Sequence, residues 1–182
     1  MPEKIPKAEL QEDKVIIWDK ADAKEIFENG WYGELFEDRL ELSLVEATFL
    51  LERKKIKIKK DRKKFSLKDL YKHNQKLDPR FIIRYTVYKD LRGRGLPVRT
   101  GFKFGCDFRV YERGVSPIKK GPKSHREHTK WIVFCVSEDY TCSFQELSRA
   151  VRLAHNIRAN MLWAVVDNEG DCTYYNVSYI SP

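Results

Sequence analysis

The stretch VRTGFKFGCDFRVYERG, residues 98–114, places one tyrosine, Tyr111, between Arg109 and Arg113. On a strand, residues 109, 111 and 113 share a face. Two guanidinium charges beside a phenol favour its ionised form and lower its pKa from about 10. A phenol so tuned can act as a general base. A plainer reading is an edge strand with a polar face. Two histidines follow: His128 directly precedes TKWIVFCV, and His125 lies three residues earlier. Histidine is the side chain best suited to donate a proton near neutral pH; either one can equally be a surface loop residue. A third element is SFQELSRAVRLAHNIRAN, 143–160, where Arg152, His155 and Ala159 stand at i, i+3 and i+7 and so share a helix face. An arginine there can stack on an unpaired base or pair with phosphate. Tyrosine, histidine and a cationic pocket without metal-ligand spacing fit one reaction class, RNA cleavage by the neighbouring 2′-hydroxyl. It needs a base for the 2′-OH proton, an acid for the departing 5′-oxygen, and positive charge facing the phosphorane.

The elements that must hold these residues are legible as patterns. KVIIW (14–18) reads as a strand, and DKADAKEIFENG as a helix closed by Gly30. SLVEATFLLERKK opens with a capping box, Ser43 and Glu46. KIKIKK alternates with period two, a strand with a lysine face. SLKDLYKHNQKL is a short helix capped by Ser66, and RFIIRYTVYKDLRGRG a longer one, with Pro79 near its start and Gly93 and Gly95 ending it. PVRTG, DFRVYE and KWIVFCV are successive strands. The helix at 143–160 opens with a second capping box, Ser143 and Glu146, and packs Leu147, Val151 and Ala154 on the sheet. MLWAVVD, the turn NEGD and CTYYNVSYI complete a strand–turn–strand. The predicted fold class is α+β, mixed α/β. A small N-terminal α+β domain covers 1–78 and a C-terminal α/β domain covers 79–182, with a mixed sheet flanked by helices. The boundary falls near 76–84.

The segment VSPIKKGPKSHRE, 115–127, interrupts this rhythm with Lys119, Lys120 and Lys123. Unstructured loops of this length are usually functional or disordered. It reads as a basic arm for phosphates or as a solvated excursion.

Composition bounds the rest. The chain has 182 residues, net charge +8 and pI near 9.2, which favours a polyanionic partner. Charged residues make up 34%, against about 25% in ordinary soluble domains, as in heat-adapted proteins. No apolar run approaches the roughly 18 residues that cross a bilayer, and the charged start MPEKIPKAELQEDK lacks a secretory apolar segment; a cytoplasmic protein is expected. Cys106, Cys135, Cys142 and Cys172 form no C-x-x-C pair, and are expected to be reduced, mostly buried thiols. A metal-dependent nuclease would need clustered carboxylates, and only Asp107 and Glu112 are near.

Three motifs, YKDLRGRGLPVRTGFKFGCDFRVYERG, EHTKW and AVRLAHNIRANMLWAVVDNEGDCTYY, run in this order through nearly all of the second half. In sequence and order they resemble the archaeal tRNA-splicing endonucleases. The N-terminal half matches more loosely, by length and rhythm. The resemblance implies an α/β nuclease domain behind a small mixed domain. It implies excision of introns from precursor tRNA at bulge–helix–bulge junctions, without metal or cofactor, leaving 2′,3′-cyclic phosphate and 5′-hydroxyl ends. The family's tyrosine falls on Tyr111 and its histidine on His128, with His125 second. Its lysine falls on Ala159, directly after Arg158. The chain is therefore expected to be an inactivated form of a catalytic subunit, the alternative being a non-catalytic structural subunit. Arg152 matches an arginine that clamps a bulged base. The acidic turn with Asp167, Glu169 and Asp171 matches a loop that enters a basic cleft of a neighbouring subunit. The insertion SPIKKGPKSHRE resembles that of heterotetrameric members, which implies a paralogous non-catalytic partner ahead of a homotetramer.

Overall fold

A computed structural model describes residues 5–102, 105–118 and 128–180. Among these are eleven strands and five helices, in two sheets. The chain divides into two units, Met1–Ile82 and Ile83–Pro182.

In the first unit the strands are β1 (Lys7–Leu10), β2 (Lys14–Ile17), β3 (Glu34–Leu35), β4 (Leu40–Ser43), β5 (Lys57–Lys60) and β6 (Lys63–Phe65). Their order is β3-β4-β2-β1-β5-β6; β1 and β5 are parallel and the other pairs antiparallel. The inward residues Val15, Ile17, Leu40, Leu42 and Ile58 are almost fully buried, with Ala23, Ile26 and Phe27 of α1 (Lys20–Glu28), Ala47 and Leu50 of α2 (Leu44–Glu52), and Leu70 of α3 (Leu67–Leu77). Side-chain caps start all three helices. Asp19 accepts from the amides of Ala21 and Asp22. Ser43 with Glu46, and Ser66 with Asp69, form reciprocal capping boxes. The buried Glu46 also accepts the Gly33 amide at 2.8 Å, so its charge is well satisfied. The expected stop at Gly30 is different in detail. Trp31, not Gly30, takes the positive φ of 54°. Gly30 is needed for space instead, because a Cβ there would lie 2.4 Å from the Tyr32 ring.

The second unit begins within α4 (Phe81–Gly93) and holds β7 (Val98–Thr100), β8 (Phe108–Val110), β9 (Trp131–Ser137), α5 (Phe144–Asn156), β10 (Asn160–Val166) and β11 (Cys172–Val177). The sheet order is β11-β10-β9-β8-β7. β9 and β10 are parallel, joined through α5, and the remaining pairs are antiparallel. Ala150, Val151 and Ala154 of α5 pack with Ile132, Met161 and Trp163, and Phe134 stacks on Trp163 at 6.0 Å. α4 is tied to several strands. Tyr88 packs on Phe108 at 5.6 Å, Arg92 donates to the Val98 carbonyl at 3.0 Å, and Asp90 accepts the Tyr174 hydroxyl at 2.7 Å. Arg84 lies 3.2 Å from Asp107, both buried, and the Asp107 carboxylate also accepts the Cys135 amide at 2.8 Å.

All four cysteines are free thiols. Cys106 and Cys135 are buried as expected, whereas Cys142 is exposed and Cys172 half-buried. Burial pushes both Cys106 and Cys172 up to about 11. No helix among the described residues is long and apolar enough to cross a membrane.

Candidate active site

Three strand ends meet at one end of the second sheet. β8 runs antiparallel to β9 and β9 parallel to β10, so β8 finishes where β9 and β10 begin. Val110 pairs with Trp131, and Trp131 with Asn160. Two backbone bonds stitch the ends together: the Lys130 amide donates to the Val110 carbonyl and the Asn160 amide to the Lys130 carbonyl, both at 2.9 Å. Tyr111 directly follows β8, His128 lies three residues before β9, and Ala159 directly precedes β10. The backbone therefore brings 111, 128 and 159 to one end of the sheet.

Tyr111 differs from its expected setting. β8 ends at Val110 and is flanked by β7 and β9, so it is not an edge. The in–out alternation breaks there, with Val110 and Tyr111 both buried and Tyr111 only 2% exposed. Residues 109, 111 and 113 therefore do not share a strand face. Arg109 reaches the Thr100 carbonyl at 3.4 Å. Arg113 donates to the Arg94 carbonyl at 2.8 Å, just past the end of α4, where a cation complements the helix dipole. His128 is exposed. His125, Lys119, Lys120 and Lys123 lie outside the described residues.

The helix carrying Arg152 and His155 is shorter than its sequence pattern. α5 ends at Asn156, and Arg158 takes a left-handed φ of 55°. Ala159 thus leaves the helical face it was expected to share. Its amide donates back to Ala154 at 2.9 Å. Ala159 and His155 line a cleft of about 260 Å³ between the end of α5 and the C-terminal segment around Asn176 and Tyr179. The His155 and Tyr179 rings lie 5.5 Å apart. Arg152 is exposed and lines a neighbouring cleft of about 550 Å³ with Phe144, Leu147 and Tyr179.

Lys130 was overlooked in the sequence reading. It lies in EHTKW, its amide and carbonyl join β8 to β10, and its ammonium pairs with Glu112 at 3.1 Å. Its position one residue before a strand on the site's own edge was the available signal. Glu112 is thereby engaged, as Asp107 is by Arg84. Among the described residues no group of three or more His, Cys, Asp or Glu converges as metal ligands would.

The acidic turn splits into two roles. The Asp167 carboxylate accepts the amides of Glu169 and Asp171, both at 2.9 Å, so it organises the turn, and Gly170 supplies φ 88°. Glu169 and Asp171 are exposed.

The sequence matches the N-terminal domain of tRNA intron endonucleases over residues 7–71 and their catalytic C-terminal domain over 81–174. It is 37% identical to a tRNA-splicing endonuclease of Thermococcus gammatolerans over 94% of this chain and 96% of that protein. It is 38% identical to that of Methanococcus maripaludis over 98% and 97%. With that of Nanoarchaeum equitans it shares 41% over 82% of this chain and 99% of the relative. Two domain matches in the same order and relatives alike along nearly their whole length establish that this chain belongs to the tRNA intron endonuclease family.

Proposed function

We propose that this chain is an endoribonuclease subunit that excises introns from precursor tRNA at bulge–helix–bulge junctions. One observation carries the reading: three separated segments bring Tyr111, His128 and position 159 to one end of a single sheet. In the proposed reaction Tyr111 takes the proton of the 2′-hydroxyl. The 2′-oxygen forms a bond to phosphorus, the bond to the 5′-oxygen breaks, and His128 protonates that oxygen. The products are a 2′,3′-cyclic phosphate and a 5′-hydroxyl, with no metal in the step. A cation at position 159 would oppose the charge that develops on the phosphoryl oxygens.

Ala159 provides no such cation, so the chain as it stands is an impaired catalyst. The same alanine is the observation that favours a second reading, a non-catalytic subunit. The native assembly proposed is a heterotetramer with a paralogous subunit in the cytoplasm, and a homotetramer is the alternative. Arg152 and the 119–123 lysines are proposed RNA contacts, and Glu169 and Asp171 subunit contacts.

The test is the Ala159→Lys chain with precursor tRNA in excess chelator, with analysis of the product ends. Cyclic phosphate and 5′-hydroxyl ends are expected. Ends bearing 3′-hydroxyl, or cleavage lost in chelator while the RNA stays folded, would overturn the mechanism. Cleavage that appears only with an added paralogue, and owes nothing to Lys at 159, would establish the structural-subunit reading.

A further inference from the structure

We infer that the outer face of the N-terminal sheet, centred on the β5–β6 hairpin, binds the phosphate backbone of the same precursor RNA, at phosphates other than those held at the candidate active site. The inference rests on the RNA-processing reading above and adds a second contact surface to it.

Charge is concentrated here. Residues 53–64, RKKIKIKKDRKK, hold nine Lys or Arg and one Asp, a net of 9 − 1 = +8, which equals the net charge of the whole chain. The remaining residues balance, with 35 − 9 = 26 cations against 27 − 1 = 26 anions. The strand pattern then puts Lys57, Lys59 and Lys64 of this segment on one face. Ile58 is 1% exposed and points to the core, while Lys57 and Lys59 are exposed on the other side. Lys57 pairs across to Lys7 of β1, and Lys59 to Lys64 of β6, so four lysines share one surface. Neighbours along β5 are about 6.6 Å apart and the strands about 4.8 Å apart, a spacing that places several ammonium groups within reach of one sugar-phosphate strand.

Folding alone does not account for the arrangement. Like charges directly opposite one another across a sheet are destabilising. Lysines on β6 can be explained as protection of an exposed edge, but β5 and β1 are interior strands, and Lys57, Lys59 and Lys7 protect no edge. Among the described residues none of Lys7, Lys57, Lys59, Lys63, Lys64 or Arg62 forms an ion pair; Glu9, the in-register neighbour of Lys59 on β1, accepts the Trp18 indole N–H instead. The turn repeats the theme. Lys60 pairs with Lys63 across a two-residue loop whose residues, Asp61 and Arg62, have φ of 48° and 67°. Such a loop favours glycine in its second place; a bulky cation occupies it here despite the steric cost of a left-handed backbone. A lysine-rich face of this kind suits phosphate, because an ammonium is a point charge that reads no base.

The test is the variant Lys57→Gln/Lys59→Gln/Lys64→Gln. Its binding is compared with that of the parent chain, across a salt series, on full-length precursor tRNA and on a short bulge–helix–bulge RNA lacking the tRNA arms. Each lost phosphate contact lowers the slope of log K against log salt by about 0.7–0.9. On full-length RNA the slope is expected to be shallower by about 2–3 units, with binding to the short RNA unchanged. Arg62→Gly should weaken full-length binding while holding or raising the thermal midpoint, opposite signs that a structural role would not produce. Unchanged affinity and slope on both RNAs would overturn this inference alone. Equal loss on both would also overturn it, by placing the lysines at the junction. A changed sedimentation profile of the triple variant would assign the face to a protein partner instead. If the parent chain binds neither RNA, this inference and the proposed function fall together.

Discussion

Ala159 begins where α5 has already stopped, behind a left-handed Arg158 and at the wall of an open cleft. A lysine side chain at 159 has that cleft to extend into. One preorganised cation facing developing charge contributes a factor of about 100 to 1,000. Single-turnover cleavage by Ala159→Lys should therefore exceed that of the present chain by at least one order of magnitude on this scale. Equal rates would remove position 159 from the site. Tyr111→Phe in the same background keeps the buried ring and deletes only the hydroxyl, so the thermal midpoint should hold while the rate falls by about 10²–10⁴ if the phenol is the base. His128→Ala should behave alike, because His128 is exposed and its truncation leaves no cavity. A variant of either that melts early, or that cuts at the parent rate, contradicts the assigned role.

At the scale of elements, the Arg84–Asp107 pair joins α4 to the residue before β8, and through the Cys135 amide to β9. Removing one partner of a buried pair strands the other charge, at a cost of about 3–5 kcal/mol. Asp107→Ala should thus lower stability in denaturant by about that amount, and a cycle with Arg84→Ala should show strong coupling rather than additive losses. Additivity would mean that the two groups are satisfied elsewhere. The helices were legible because their starts are written in side chains: Ser43–Glu46 appears as the capping box its spacing implies, and Ser66 caps α3 as expected, with Asp69 completing a box there as well. At Ser143 the hydroxyl accepts the Glu146 amide, while the Glu146 carboxylate takes the Tyr140 hydroxyl, a partner that no local pattern announces. Helix stops were harder to read. No glycine marks the end of α5, since Arg158 itself adopts the left-handed turn, and the extended Arg152–His155–Ala159 face was read too far. β1, β3, β4 and β6 are short segments that composition does not mark, and pairing in a sheet makes them strands. The site's three segments could be named from the sequence, but the break in alternation that buries Tyr111 could not.

For the whole molecule, acid and alkali should act on different halves. In the first unit, hydrogen bonds from Lys14 and then Arg39 hold the Glu41 carboxyl below its ordinary 4.5, and the Ser66 hydroxyl holds Asp69 below 3.8. Carboxyls depressed by folding contribute stability above those values and lose it as pH falls through the folded ones. In the second unit, burial raises the Cys106 and Cys172 thiols from 9.0 to about 11, and burial with the bond to Asp90 raises the Tyr174 phenol further. Groups raised by folding keep their contribution below the ordinary value and lose it as pH climbs toward the folded one. Trp18 and Trp31 report on the first unit, Trp131 and Trp163 on the second. Fluorescence melts of variants retaining one pair or the other should show the first pair's midpoint dropping below about pH 4 and the second pair's falling from about pH 9, before the range above 10.5 in which Lys14 of the first unit, raised by its bond to Glu41, loses its own contribution. Midpoints that move together at both extremes would contradict this division. The order of strands has a further consequence during synthesis. All six strands of the first sheet lie before residue 66, so that unit can close while the rest of the chain is still being made. The second sheet is different, because β9 waits for its parallel neighbour β10, at 160–166. A nascent chain paused before that point has β8 beside β9 on one side only, and its other edge, with Ile132 and Phe134, stays open, a stage at which a ribosome-bound holdase has something to hold.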